Sequence, residues 1–166
     1  PKIVDKKQRI GDIEMDLIVG QGHKGVLLTI NDRVTGVLKM AKLDNKEAAT
    51  ITQKAIELLS DWKPFMQTIT TDNGKEFANH KQVAESLNID YFFARPYHSW
   101  ERGANENLNG LVRQYFPKKY NFDLIKDEDV IEVVNKLNDR PRKRFGFKSP
   151  NQIYSKTIEN GGVLHL

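Results

Sequence analysis

Three carboxylates stand out for where they fall in the sequence. Asp16 lies in the run Ile13-Glu14-Met15-Asp16-Leu17-Ile18-Val19, where Ile13, Met15, Leu17 and Val19 alternate with the residues between them. That period of two predicts a strand with Asp16 on the face opposite Met15 and Leu17. Asp72 follows the β-branched run Ile69-Thr70-Thr71, at the carboxyl end of a second predicted strand, which is where ligands bind in α/β sheets. Glu106 sits near the start of an amphipathic segment whose polar side continues through Asn109, Gly110 and Arg113. Hard cations such as Mg²⁺ are held by oxygen ligands, carboxylates above all. Two such ions ~3.5–4 Å apart can activate a nucleophile and stabilise the leaving oxygen of a phosphodiester. Two strand aspartates and one helix glutamate suit that task. Each acid also has a plainer reading alone: a solvated strand edge for Asp16, an Asp-Asn-Gly turn for Asp72, a solvated helix face for Glu106.

The elements that must position these acids follow from periodicity. Strands are predicted over residues 13–19, 26–30 and 36–41, separated by glycine-rich and Asn-Asp turns, which favours an antiparallel meander. Asp44 with Glu47 predicts a capping box. Ala48, Ile51, Thr52, Ala55 and Leu59 then follow at helical spacing, ending before Pro64. A strand over 67–71, a helix over 75–87 and a strand over 89–94 come next. Helices over 104–116 and 127–138 complete the pattern, the first with Leu108, Leu111, Val112, Tyr115 and Phe116 on one face. The order βββαβαβαα describes an α/β fold: a five-stranded mixed sheet, three antiparallel strands then two parallel ones, flanked by helices.

Composition narrows the classes. At 166 residues the chain fits one domain, and 39% hydrophobic with 29% charged residues excludes a wholly disordered chain. No apolar run is long enough for a membrane span, and residues 1–10 lack the apolar core of a secretory signal. Cysteine is absent, which excludes thiolate metal sites and cysteine nucleophiles and suits a cytoplasmic setting. The net charge of +4 is unevenly spread: residues 140–148 carry five basic residues and no acid, and residues 1–10 carry four against one acid. That points to a polyanionic partner.

Four ordered blocks make the sequence recognisable. They are Gly11-Asp12-Ile13-Glu14-Met15-Asp16-Leu17-Ile18, Thr70-Thr71-Asp72-Asn73-Gly74-Lys75-Glu76-Phe77, residues 96–117 from Pro96-Tyr97-His98-Ser99-Trp100-Glu101-Arg102 onward, and Leu137-Asn138-Asp139-Arg140-Pro141-Arg142-Lys143. Together they resemble the catalytic core of the DDE transposase and retroviral-integrase superfamily, most of all the insertion-sequence-thirty family of bacterial transposases. The resemblance implies a ribonuclease-H-like fold, in agreement with the predicted element order. It implies Asp16, Asp72 and Glu106 as a catalytic, metal-binding triad using Mg²⁺, with Mn²⁺ as a substitute. It implies DNA as partner, both insertion-sequence ends and target duplex, a homo-oligomer assembled on that DNA, and a cytoplasmic, nucleoid-associated location. The division expected is a basic linker or tail over 1–10, an integrase-type core over 11–158 and a C-terminal tail over 159–166. Two positions depart from the family pattern: Ile13 stands where tryptophan is common and Met15 where glycine is common, and both keep apolar strand character. Family members also carry an N-terminal helix-turn-helix region that recognises the element ends. A chain starting at Pro1 is expected to lack it and to bind DNA without sequence preference.

Further residues are candidates for DNA contact. Tyr97, His98, Trp100 and Arg102 interleave aromatic and basic character ahead of Glu106, which suits stacking and phosphate contact, although Trp100 could equally anchor its loop. Asn105 and Asn109 flank Glu106 and could orient it, touch DNA or, for Asn105, cap the helix. Arg113, Lys118, Lys119, Arg140, Arg142, Lys143 and Arg144 are candidates for phosphate contact. Three functions compete: a DNA transposase, a hydrolytic ribonuclease or resolvase of the same fold, and a non-catalytic DNA-binding remnant. The Tyr97-to-Asn107 block argues against the second, and the complete set of three acids against the third.

Overall fold

The computed structural model describes residues 9–23, 25–94 and 103–161. Its sheet is built from β1 (Asp12–Val19), β2 (Val26–Asp32), β3 (Leu38–Leu43), β4 (Thr68–Thr71) and β5 (Asp90–Phe93), in the spatial order β3-β2-β1-β4-β5. β1, β2 and β3 are antiparallel neighbours, and β1, β4 and β5 run parallel. The predicted meander and mixed sheet are therefore present, with β1 at the centre.

Alternation along β1 separates two cores. Ile13 and Met15 join Leu28, Ile30 and Ile69 beneath α1 (Ala48–Leu59) and α2 (His80–Leu87), where Ile51, Ala55, Leu59, Val83 and Leu87 meet them. Ile18 joins Leu27, Leu38 and Met40 on the opposite face, under α3 (Gly103–Val112) and α4 (Asp127–Asp139), through Leu108, Val112, Val130, Val133 and Leu137. Burying each such side chain stabilises the fold by roughly 1.5–3 kcal/mol, which is what keeps helices on both faces. Asn138 ties α4 to the edge strand: its Oδ1 accepts the Leu38 N–H at 2.8 Å and its Nδ2 donates to the Leu38 carbonyl at 2.9 Å. No helix of the described residues is long and apolar enough to cross a membrane.

Several boundaries differ from the sequence expectation. α1 starts at Ala48 rather than at Asp44, because the Asn45 Oδ1 accepts the Glu47 N–H (2.9 Å) and holds the preceding residues in a turn. The segment after Asp72 is a 3₁₀ turn, Lys75–Phe77, and only then α2; the break at Asn79 lets Phe77 point into the core. α3 ends at Val112 instead of running to Phe116: Gln114 and Tyr115 donate to carbonyls three residues back, and Pro117 disfavours a continuing helix. Tyr115 is consequently exposed, although Phe116 stays buried. A fifth helix, α5 (Pro150–Glu159), was not anticipated. Ser149 and Gln152 form its capping box (3.2 and 2.8 Å), with proline in the first helical position. At the other end Ile10 is buried and Arg9 grips Asp12 with two bonds of 3.0 Å, so these two residues belong to the folded body rather than to a tail.

The start of β1 is locked to its neighbours through Gly11. Its N–H donates to Asp32 Oδ2 (2.7 Å), and its carbonyl accepts the Gln67 and Thr68 N–H groups (2.9 and 3.1 Å). Asp32 also accepts from the Val34 and Thr35 N–H groups and from the Thr35 hydroxyl (3.1, 2.7 and 2.8 Å). Burial raises the Asp32 pKa against the pull of these donors. Gly11 has φ +94, and a Cβ there would lie 2.0 Å from the Phe65 carbonyl oxygen. Gly11→Ala should therefore cost more than the ~1–3 kcal/mol of a forced backbone conformation alone. Urea unfolding of the two proteins measures the difference; equal midpoints would show that this contact does not constrain the fold.

Candidate active site

The parallel register of β1 and β4 decides where the two aspartates fall. Asp12 pairs with Thr68, Ile13 with Ile69 and Glu14 with Thr70. The same offset relates Asp16, inside β1, to Asp72, the residue after β4, although the paired residues themselves end at Glu14 and Thr70. Both residues are half-buried. Asp16 lies opposite Met15 and Leu17, as expected, on the face covered by α3.

Each aspartate is held. Asp16 Oδ1 accepts the Leu17 N–H (2.9 Å), and its Oδ2 accepts the Asn109 side-chain amide (2.9 Å). The Thr29 hydroxyl lies 3.4 Å from Asn109 Oδ1, which keeps the amide turned with its nitrogen toward Asp16. Asp72 Oδ1 accepts the Gly74 N–H (3.0 Å), so the turn chemistry expected of Asp-Asn-Gly is present and fixes the carboxylate. A Cβ on Gly74 would stand 2.9 Å from that oxygen and 2.7 Å from a Glu76 carboxylate oxygen, so glycine leaves room for two acids there.

Glu106 is brought alongside by α3. The helix is fastened to β1 on either side of this residue. Ahead of it, the Asn105 N–H donates to Glu14 Oε2 (2.9 Å). One turn after it, Asn109 donates to Asp16. Glu14 is fully buried, and its other oxygen lies 2.8 Å from Arg33 Nε, itself 4% exposed. A carboxylate near the first turn of a helix also interacts favourably with the helix dipole. The Glu106 side chain is exposed, and among the described residues no three acidic or histidine side chains stand close enough to hold one ion. Carboxylates repel one another where no cation lies between them. The bonds from Asn105 and Asn109 thus tie the helix that carries Glu106 to β1, which carries Asp16.

The other candidates divide. Asn105 is 0% exposed and lies within α3 rather than at its cap; among the described residues neither of its side-chain polar atoms has a hydrogen-bond partner. Asn109 orients Asp16. Arg113 donates to the Val19 carbonyl (2.9 Å) and lies over the Phe122 ring, fastening the end of α3. Arg142 is half-buried and donates to the Leu137 carbonyl (2.7 Å) at the end of α4, and burial lowers its pKa. Lys118, Lys119, Arg140, Lys143 and Arg144 are exposed, Arg140 while donating to Gln114 (2.7 Å). Tyr97, His98, Trp100 and Arg102 lie outside the described residues. Glu14 is expected from the sequence either to support the three acids or to lie at the surface, and the structure buries it; the sequence reading missed its pairing with Arg33. The signal was present: an acid two residues before Asp16 on the same face of a strand predicted to be central.

Known proteins resemble this chain in sequence and in fold. The chain is 48% identical over 163 residues to the transposase for insertion sequence element IS4351 of Bacteroides fragilis, covering 98% of this chain and 50% of that protein. It is 33% identical over 158 residues to the transposase InsI for element IS30C of Escherichia coli, covering 93% and 40%. The chain is a homologue of insertion-sequence transposases. It spans about half the length, or less, of these curated relatives. No protein-family model matches it. Among solved structures, the catalytic core domain of BIV integrase aligns with a TM-score of 0.73 at 17% identity, covering 91% of this chain and 97% of that one. A chain of the simian T-cell lymphotropic virus intasome aligns with a TM-score of 0.68 at 19% identity, covering 84% and 52%. The fold of this transposase homologue is thus the ribonuclease-H-like fold of integrase cores.

Glu14→Ala would remove the carboxylate that lies 2.8 Å from the buried Arg33 guanidinium and the acceptor of the Asn105 N–H. Breaking one partner of a buried pair costs about 3–5 kcal/mol, whereas Glu14→Gln keeps the helix bond and should cost less than Glu14→Ala. Urea unfolding of both variants measures this, and equal losses would show that the bond to α3 contributes nothing.

Proposed function

We propose that this chain is the catalytic core of an insertion-sequence transposase, a polynucleotidyl transferase that cleaves a phosphodiester at the element end and joins the freed 3′ end to target DNA. The observation that supports the reading most is the register of β1 and β4, whose offset, carried past the paired residues, would bring Asp16 beside Asp72, with α3 bound to β1 through Asn109 and Glu14. Three carboxylates on a rigid frame are a hard-oxygen donor set suited to Mg²⁺ or Mn²⁺, and Asp16, Asp72 and Glu106 are the residues that would hold the metal. When bound, the metal would activate the attacking oxygen and offset charge on the leaving oxygen.

The chain's own residues set the conditions for that chemistry. Asn109 and the Leu17 N–H hold Asp16 in one orientation, and the Gly74 N–H does the same for Asp72. Glu106 comes from a helix held at two points, so its freedom is that of a side chain and not of a loop. No side chain need act as nucleophile. Water attacks the phosphorus, the bond to the 3′ oxygen breaks, and the liberated 3′-hydroxyl attacks a target phosphodiester in turn, exchanging one P–O bond for another. Exposed Lys118, Lys119, Lys143 and Arg144 would lower the repulsion between DNA and the acidic centre. Assembly as a homo-oligomer on DNA, in a nucleoid-associated protein, belongs to the same proposal.

Nicking of supercoiled DNA and strand transfer of an element-end duplex, each with Mg²⁺ or Mn²⁺ and with EDTA, test this reading. Asp72→Asn should abolish both activities with the melting temperature kept, and Mn²⁺ should raise the melting temperature of the parent but not of the variant. Nicking that survives the substitution would overturn the assignment. Cleavage of an RNA–DNA hybrid without strand transfer would make the chain a ribonuclease instead.

A further inference from the structure

The loop between α4 and α5 carries a residue its own geometry disfavours. Residues 145–148 form a turn closed by the Lys148 N–H to the Phe145 carbonyl (3.3 Å), with Gly146 at φ +59 and Phe147 at φ +67. Two consecutive left-handed residues are the pattern of turns that select glycine, asparagine or aspartate. A bulky residue in that conformation is a genuine outlier, at a cost of order 1–3 kcal/mol. Core packing does not compensate for it. The Phe147 side chain is 71% exposed, more than any other large apolar residue among those described.

The loop presents this ring on a firm base. The Arg142 and Phe147 N–H groups donate to the Lys148 and Arg142 carbonyls, each at 2.9 Å. The Arg144 guanidinium lies 4.3 Å from the centre of the Phe145 ring and reaches Gly36. Arg142 is anchored to α4, and the Ser149 cap starts α5 directly afterwards. Lys143, Arg144 and Lys148 neighbour Phe147 in sequence, in a segment, residues 140–148, with five cations and no acid. A second copy of this face would be repelled by its own charge, whereas a polyanion with flat apolar faces would match both features.

We propose that Phe147 is a base-stacking post, laying its ring on an unpaired base of single-stranded or frayed DNA while Lys143, Arg144 and Lys148 contact the neighbouring phosphates. The proposal rests on the DNA-processing reading above and adds to it a site distant in sequence from the three acids. Stacking on an aromatic ring tolerates any base, so the contact would be sequence-independent. The cost of the backbone conformation explains why the site could be optimised for binding and not for stability.

The test uses the 166-residue chain and oligonucleotides carrying 2-aminopurine, single-stranded and as blunt duplex. Phe147→Gly relieves the backbone strain, so its melting temperature should rise. Its affinity for the single strand should fall about 5–100-fold, from a stacking contribution of ~1–3 kcal/mol at tenfold per 1.4 kcal/mol. The salt dependence should stay unchanged, because the phosphate contacts remain. Phe147→Trp should keep the affinity and the quenching of 2-aminopurine. Unchanged single-strand affinity in Phe147→Gly overturns the proposal, as does an equal loss on blunt duplex. Loss of binding to anionic phosphatidylserine vesicles with DNA affinity intact would assign the loop to a lipid surface and overturn it too. The two readings fail separately: nicking that survives Asp72→Asn leaves the stacking result standing, and unchanged stacking leaves Asp72-dependent nicking standing.

Discussion

The geometry of the site depends on one register. β1 and β4 are parallel neighbours, and a slip of a single residue in β1 would turn Asp16 to the opposite face of the sheet. That register is set at the opposite end of the strands from the acids. There the Gly11 carbonyl takes two N–H groups from the start of β4, its N–H is held by Asp32, and Asp12 accepts the Thr68 hydroxyl at 2.9 Å. Only glycine fits, because the Phe65 carbonyl occupies the place of a Cβ. A backbone contact about five residues from the chemistry thereby determines whether two carboxylates stand together.

The third acid depends on a different device. Glu106 belongs to a helix that could rock on its apolar face, since Leu108 and Val112 resist sliding less than they resist separation. Two polar bonds remove that freedom, one to Glu14 and one to Asp16. The first requires a charge inside the protein, and Arg33 makes that charge tolerable. A buried pair of this kind contributes little net stability and is better understood as specifying one arrangement among several. The position of the helix relative to β1 is what it specifies here. The helix is held at two points while the Glu106 side chain stays exposed, so the proposed site could admit a cation and a phosphate without unfolding any element.

Much of this could be read from the sequence, and the reasons are physical. The alternation along β1 survives because both cores need it, and the Ile51, Ala55 and Leu59 stripe shows which face of α1 turns inward. The three acids were singled out by their places on strand, strand end and helix start, with the family resemblance adding their roles. What escaped was nonlocal or competitive. The Glu14–Arg33 pair and the Asn105 bond join segments that no periodicity connects. α3 ends early because Pro117 outweighs a continuing apolar stripe. α5 was missed although Ser149-Pro150-Asn151-Gln152 carries a capping signature, since the basic segment before it drew the reading toward DNA. Arg142 and Arg113, candidates for phosphate contact, each also donate to a backbone carbonyl; a cation in a sequence gives no sign of whether it has an internal partner.

The central claim is that Asp16 and Asp72 share one divalent cation. Crystals of the chain grown with Mn²⁺ and measured at the manganese absorption edge locate that ion directly. The account predicts an anomalous peak between the Asp16 and Asp72 carboxylates, within about 2.0–2.4 Å of an oxygen from each. A peak bound elsewhere, or two aspartates turned to opposite faces of the sheet with no ion between them, would contradict it.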